Sequence, residues 1–256
     1  VTLLTDFGSA GPYPAQMRLA LAALTDVILI EITHDVPRHD VRTGAYLLRA
    51  AATQAPSGTI HLAVVDPGVG TGRQALIVQS GGQYFVGPDN GLLMPAARQA
   101  GVPGAFVITD AALIRGIRSG TFHGRDLFAP AAALLARGTP PAALGVPAPD
   151  VVDLDLGRGD RAGRLLRGTV LYIDAFGNVV TNIPADLLPP LGRRIEVQSG
   201  RRRIRGMVRG MYGEAPRGTL MIVSGSDETV EIAVREGDAA RRLALRAGAR
   251  VTIRER

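Results

Sequence analysis

Cysteine is absent from the 256 residues, which excludes a disulfide framework, a thiolate nucleophile and a cysteine metal site. Only four histidines remain to hold zinc alongside carboxylates, and no metal or other cofactor is expected. Lysine is absent too, so all 29 basic residues are arginine. The net charge of +6 accompanies a chain rich in Ala, Gly and Pro, and the arginines are spread along it, which reads as compositional preference. The one dense run, Arg201-Arg202-Arg203-Ile204-Arg205, sits among strand-like residues as a solvated hairpin. Aromatics at 4% leave little for bases to stack on, so no nucleic-acid partner is expected. No window holds the ~20 uninterrupted apolar residues of a membrane span, and no charged, then apolar leader opens the chain. A cytoplasmic protein without membrane contact is the expectation.

What the chain has is core material, 46% hydrophobic, in two textures. Val1 to Leu4 and Val27 to Ile32 read as buried strands around a helix from Gln16 to Leu24. A helix over Val41 to Ala55 leads to a strand over Ile60 to Val65. A hairpin (Ala75 to Gln79 with Tyr84 to Val86), a strand over Ala105 to Ile108 and an Ala/Leu helix from Leu127 to Ala136 follow. From Gly138 to Gly168 the composition shifts to Pro, Gly, Asp and Arg. Beyond it come short alternating segments at 169–173, 194–198, 203–208, 218–223, 229–234 and 250–253, almost without helical pattern. The expected architecture is a Rossmann-like α/β domain over 1–150, a linker over 151–167 and an antiparallel β-barrel over 168–256.

Chemistry concentrates where apolar strands end in aspartate. Val65-Asp66-Pro67-Gly68-Val69-Gly70-Thr71-Gly72-Arg73 places a carboxylate at a strand end, where open α/β sheets bind ligands, and returns a guanidinium beside it. A structural ion pair at a tight turn reads equally well. Leu4-Thr5-Asp6-Phe7-Gly8 repeats the pattern, and His123 lies in a Gly-containing loop, as a catalyst or as a satisfied structural residue. Tyr172-Ile173-Asp174-Ala175-Phe176-Gly177-Asn178 offers a ring, an amide and a carboxylate, suited to an adenine and a polar tail. A β-bulge with a core Phe and a turn Asn is the alternative.

Leu3-Leu4-Thr5-Asp6-Phe7-Gly8, Val65-Asp66-Pro67-Gly68-Val69-Gly70, Pro88-Asp89-Asn90-Gly91, Thr121-Phe122-His123-Gly124-Arg125-Asp126 and Asp174-Ala175-Phe176-Gly177-Asn178 with Thr181-Asn182-Ile183 come in that order. Together they resemble the S-adenosylmethionine hydroxide adenosyltransferases, hydrolytic relatives of the fluorinase and chlorinase, over essentially the whole chain. The resemblance implies an α/β domain, a C-terminal barrel, and a homotrimer whose sites lie between one subunit's first domain and a neighbour's second. It implies hydrolysis of S-adenosylmethionine to adenosine and methionine by a water-derived hydroxide at ribose C5′, with Asp66, Arg73 and His123 positioning and activating the water. Asp6 matches the ribose-binding carboxylate, Phe176 and Tyr212 the adenine-stacking positions, and Asn178 an adenine partner. Asp174 and Ser226 match polar substrate contacts, and the backbone of Glu231 to Val234 would meet the adenine edge.

The halogenating relatives carry Tyr and a nearby Thr where this chain has Asp66 and Val69, and Tyr-Ser where it has His123-Gly124. A carboxylate repels a halide, so hydrolysis is expected over halogenation. Gly11 stands where an Asp is usual and Asp227 where some relatives have Arg, which leaves recognition of the methionine end open. A non-catalytic adenosine or S-adenosylmethionine binder is the reading from another class.

Overall fold

The computed structural model describes residues 1–256, which divide by their contacts into a first unit, Val1–Asp155, and a second, Leu156–Arg256. The first unit runs β1 (Thr2–Thr5), α1 (Tyr13–Ala22), β2 (Ile30–Thr33), α2 (Val41–Thr53), β3 (Ile60–Val64), β4 (Ala75–Ser80), β5 (Gln83–Pro88), α3 (Met94–Ala100), β6 (Gly104–Ile108) and α4 (Ala111–Arg115). A π-helical turn, Gly124–Phe128, leads into α5 (Ala129–Ala136), then α6 (Pro141–Leu144) and β7 (Gly145–Pro147). The strands form one sheet in the order β2-β1-β3-β5-β4-β6-β7. β2, β1, β3 and β5 run parallel, whereas β4, β6 and β7 pair antiparallel.

Parallel strands need cover on both faces, and their residues show it: Leu3, Leu4, Leu62 and Ala63 are wholly buried. On one face α5 lies against Leu3, Leu62 and Val64 with Met17 and Leu21 of α1; its Ala129, Ala131, Ala132 and Ala133 have no bulk to hold it away. Thr5 is in register with Val64, so Asp6 and Asp66 leave neighbouring parallel strands at the same carboxyl edge of the sheet.

The second unit contains β8 (Asp160–Ala162), β9 (Leu165–Ile173), β10 (Val179–Pro184), β11 (Arg194–Ser199), β12 (Arg202–Val208), β13 (Leu220–Ser224), β14 (Thr229–Val234), α7 (Ala239–Leu243) and β15 (Arg250–Glu255). Its order is β10-β14-β13-β12-β11-β15-β9-β8, and a further β9–β10 pairing closes it into a barrel with β8 outside the ring. Inward-facing Val170, Val179, Ile195, Val197, Ile222, Ile232 and Ile253 fill the barrel, and Ala239, Ala240 and Leu243 of α7 join that core.

Four features differ from the sequence reading. One seam of the barrel, β12 to β13, is parallel because a connection containing Met211-Tyr212-Gly213-Glu214 replaces a hairpin. The run 27–32 is not a buried strand: only Ile30–Thr33 pairs, at the sheet edge, leaving Ile28 and Ile30 exposed. β10, inside the Asn178 to Ile183 motif, and α7 were not anticipated. The stretch expected as linker holds β8 and the start of β9. No helix is long and apolar enough to cross a membrane.

Candidate active site

At the carboxyl edge of the first unit's sheet lies a cleft of about 270 Å³ lined by Asp6, Phe7, Arg38, His39, Val64, Asp66, Val69, Thr121, Phe122, His123 and Gly124. Asp66 follows the end of β3 and is 5% exposed as a side chain, and Arg73, returning from the glycine turn, is 11% exposed. Arg73 Nε donates to both Asp66 oxygens at 3.0 Å, and Nη2 donates to Oδ2. The same Nη2 lies 3.0 Å from His123 Nδ1. Below it the Phe128 ring supports the guanidinium at 5.1 Å. Arg73 thus joins an acid from its own turn to an imidazole 50 residues further along the chain.

The glycine turn is shaped for this approach. Gly70 has φ +77°, and a Cβ there would lie 2.9 Å from the Gly120 carbonyl oxygen, so turn and His123 loop touch backbone to backbone. Gly124 is as confined, with Met17 Sδ 3.1 Å and the Phe7 ring 3.2 Å from where a Cβ would stand. His123 therefore sits at the head of a wide π-helical turn, a feature frequent at functional sites.

A guanidinium can only donate, so His123 Nδ1 is an acceptor and the ring's proton resides on Nε2. Burial and then the Arg73 charge push the His123 pKa below its ordinary 6.5, with Asp66 and Asp126 opposing. Asp126 is held ionised below the usual carboxylate range, first by Arg125 and then by the amides of Arg118 and Ser119. Asp6 Oδ2 accepts the His39 amide at 2.9 Å. Beneath Asp6, Thr5 Oγ1 lies 2.8 Å from His34 Nδ1, and the other ring nitrogen of His34 pairs with Glu31.

The second unit gathers another group. Asp174 Oδ1 accepts the amides of Phe176 and Asn178 at 2.9 Å, and Asp174 Oδ2 accepts Asn178 Nδ2 at 2.9 Å. Phe176 is 80% exposed, which rules out the core role that the bulge reading would give it. Tyr212 donates its hydroxyl to Glu231, whose carboxyl pKa is raised by burial and by the charge of Asp174. Burial and Glu231 raise the Tyr212 phenol in turn. Ser226 is exposed in the β13–β14 turn. β13 pairs with β14 from Val230 to Val234, and the Val234 carbonyl accepts the Gly237 amide while its side chain lies in the core. β10 pairs with β14 only from Thr229 to Ile232, so the backbone of Ala233 and Val234 lies past that pairing, next to the strand position of the Glu231 carboxyl.

Sequence reasoning missed Arg38, His39 and Thr121 as lining residues. Loop side chains carry no periodicity, and the link from His39 to Asp6 is a backbone amide, which residue type does not reveal. No group of three or more His, Asp or Glu side chains is placed to hold a metal ion.

Residues 1–145 match the SAM hydroxide adenosyltransferase N-terminal domain, and residues 168–252 match the C-terminal domain. The chain belongs to the SAM hydroxide adenosyltransferase family. Within that family it is 39% identical to an (R)-S-adenosyl-L-methionine hydrolase of Thermus thermophilus, over 99% of this chain and 98% of the relative. It is also 39% identical to an (R)-S-adenosyl-L-methionine hydrolase of Salinispora tropica, over 99% and 97%. A crystal structure of an uncharacterized conserved protein from Thermotoga maritima superposes with a TM-score of 0.93 at 34% identity, covering 98% of both chains.

Proposed function

We propose that this family member is an S-adenosyl-L-methionine hydrolase releasing adenosine and L-methionine, and that Asp66, Arg73 and His123 are its catalytic residues. The observation that carries the reading is the guanidinium of Arg73 held between the Asp66 carboxylate and the His123 imidazole at one cleft with Asp6.

In the reaction a water oxygen forms a bond to ribose C5′ as the C5′–S bond breaks. The bonding pair passes to sulfur, and the sulfonium leaves as a neutral thioether. The leaving group is activated by its own charge, so alignment and removal of one proton are what the site must supply. Asp66 fits the proton acceptor: its oxygens take bonds from Arg73, yet a carboxylate has about four lone-pair directions. His123, with its proton on Nε2, fits a donor that fixes the attacking oxygen. Asp6 is assigned to the ribose hydroxyls, Phe176 and Tyr212 to stacking, and Asn178, Asp174 and Glu231 to the polar edge of the base. A cytoplasmic homotrimer, with each site completed by a neighbour's second domain, is the finer part of the reading. The whole-chain resemblance and the exposed Phe176 ring support it.

The test is incubation with each sulfonium epimer of S-adenosylmethionine in H₂¹⁸O, with and without chloride, followed by chromatography and mass spectrometry. The (R) epimer is the first to try, since it is the one in the relatives' names. Adenosine carrying ¹⁸O at the 5′ position is expected; a 5′-chloro nucleoside, or no adenosine, overturns the reading.

A further inference from the structure

One charged side chain of the cleft has no role in the chemistry above. Arg38 lines it beside Asp6, His39, Asp66 and His123. The guanidinium of Arg73 is taken up by Asp66 and His123, and that of nearby Arg125 by Asp126 and Gln16. Arg38 is exposed and makes no hydrogen bond or ion pair within the chain.

Its backbone, by contrast, is tightly placed. The Asp40 amide donates to the Pro37 carbonyl at 2.9 Å across a turn in which His39 adopts φ +62°, a left-handed conformation that residues with a Cβ rarely take. That conformation directs the His39 amide to Asp6 Oδ2, and the Val36 amide ties the same loop to the Thr5 carbonyl at 3.2 Å. The residue next to Arg38 thereby grips the carboxylate assigned to the ribose. A long cationic side chain is left free in the lining of the same cleft as Asp66 and His123.

We propose that Arg38 recognises the α-carboxylate of the substrate's amino-acid tail and so sets specificity for that tail. This rests on the hydrolase reading. Of the substrate's ionic groups, sulfonium, α-ammonium and α-carboxylate, only the last is an anion. A guanidinium matches a carboxylate with two parallel hydrogen bonds. Asp6 and Asp66 at the same cleft repel that carboxylate, so an unpaired cation is what would hold it there.

The experiment compares wild type, Arg38→Ala and Arg38→Lys on S-adenosylmethionine and on its decarboxylated analogue, and measures inhibition by adenosine. Arg38→Ala is expected to lower kcat/KM for S-adenosylmethionine about 10-fold, mainly through KM, since the contact is solvent-accessible. The decarboxylated analogue should change less than about 2-fold, and so should inhibition by adenosine, while Arg38→Lys restores part of the loss by charge alone. Equal losses on both substrates, weaker adenosine inhibition, or no change on either substrate overturns the assignment and leaves the hydrolase reading intact. A wild type that releases adenosine from neither compound overturns both.

Discussion

Arg73 is contacted by Asp66, His123 and the face of Phe128, so its Nε and Nη2 donors have an assigned place before any substrate arrives. Replacing Asp66 by Asn keeps the shape and removes the proton acceptor. Asp66→Asn is expected to lower kcat by ~10²–10⁴-fold while adenosine affinity, measured by calorimetry, stays within a few-fold. His123 titrates below 6.5 because of burial and Arg73, so it is neutral above that pH, and activity should fall as acid protonates it. Asp66 raises the His123 pKa, so in Asp66→Asn the midpoint read by NMR from the imidazole should move lower still; an upward move contradicts the geometry. These residues were legible because a carboxylate at the end of an apolar strand conflicts with its surroundings. Arg38 was not legible, because an arginine in a Pro-Arg-His turn looks like any solvated loop residue.

Among the elements, the glycine turn and the His123 loop depend on each other through one backbone contact. Gly70→Ala places a methyl group 2.9 Å from the Gly120 oxygen at a left-handed φ, so it should push the His123 loop away. A fall in kcat with a melting temperature lowered by only a few degrees is expected, since the core strands are untouched. Under the sheet, His61 of β3 bonds Thr2 of β1 at 2.8 Å and Gln83 of β5 at 3.1 Å, fully buried and stacked on Phe85. Burial lowers its pKa from 6.5 to about 4. The unfolded chain therefore takes the proton first. Stability is complete above pH 6.5 and declines as pH falls toward 4, by something of the order of 3 kcal/mol from this group. The melting temperature should depend less steeply on pH across that window in His61→Gln. Strand existence was legible where apolar runs are long, as in β3. It misled at 27–32, where β-branched residues occupy an edge, and failed at β10, where Asn, Thr and Pro conceal a strand whose Val179 and Ile183 are buried.

At the scale of the whole molecule, the change from α/β texture to short alternating strands announced two units, and the contacts divide between Asp155 and Leu156. Closure of the barrel was expected, but its parallel seam was not, because strand direction after a long connection leaves no mark on residue type. If the proposed trimer forms, sedimentation should give three times 26.8 kDa; a monomer at assay concentration with full activity rejects shared sites. The ring of strands closes through the β9–β10 hairpin, whose turn carries Asp174, Phe176 and Asn178 and is braced on α7 by the Ala240 amide bonding the Gly177 carbonyl. A nucleoside seated on that turn would act as a latch on the last seam of the barrel. Occupancy should then register as heat tolerance even in a catalytically silent Asp66→Asn protein, growing with the logarithm of ligand concentration, so candidate ligands can be ranked without any turnover.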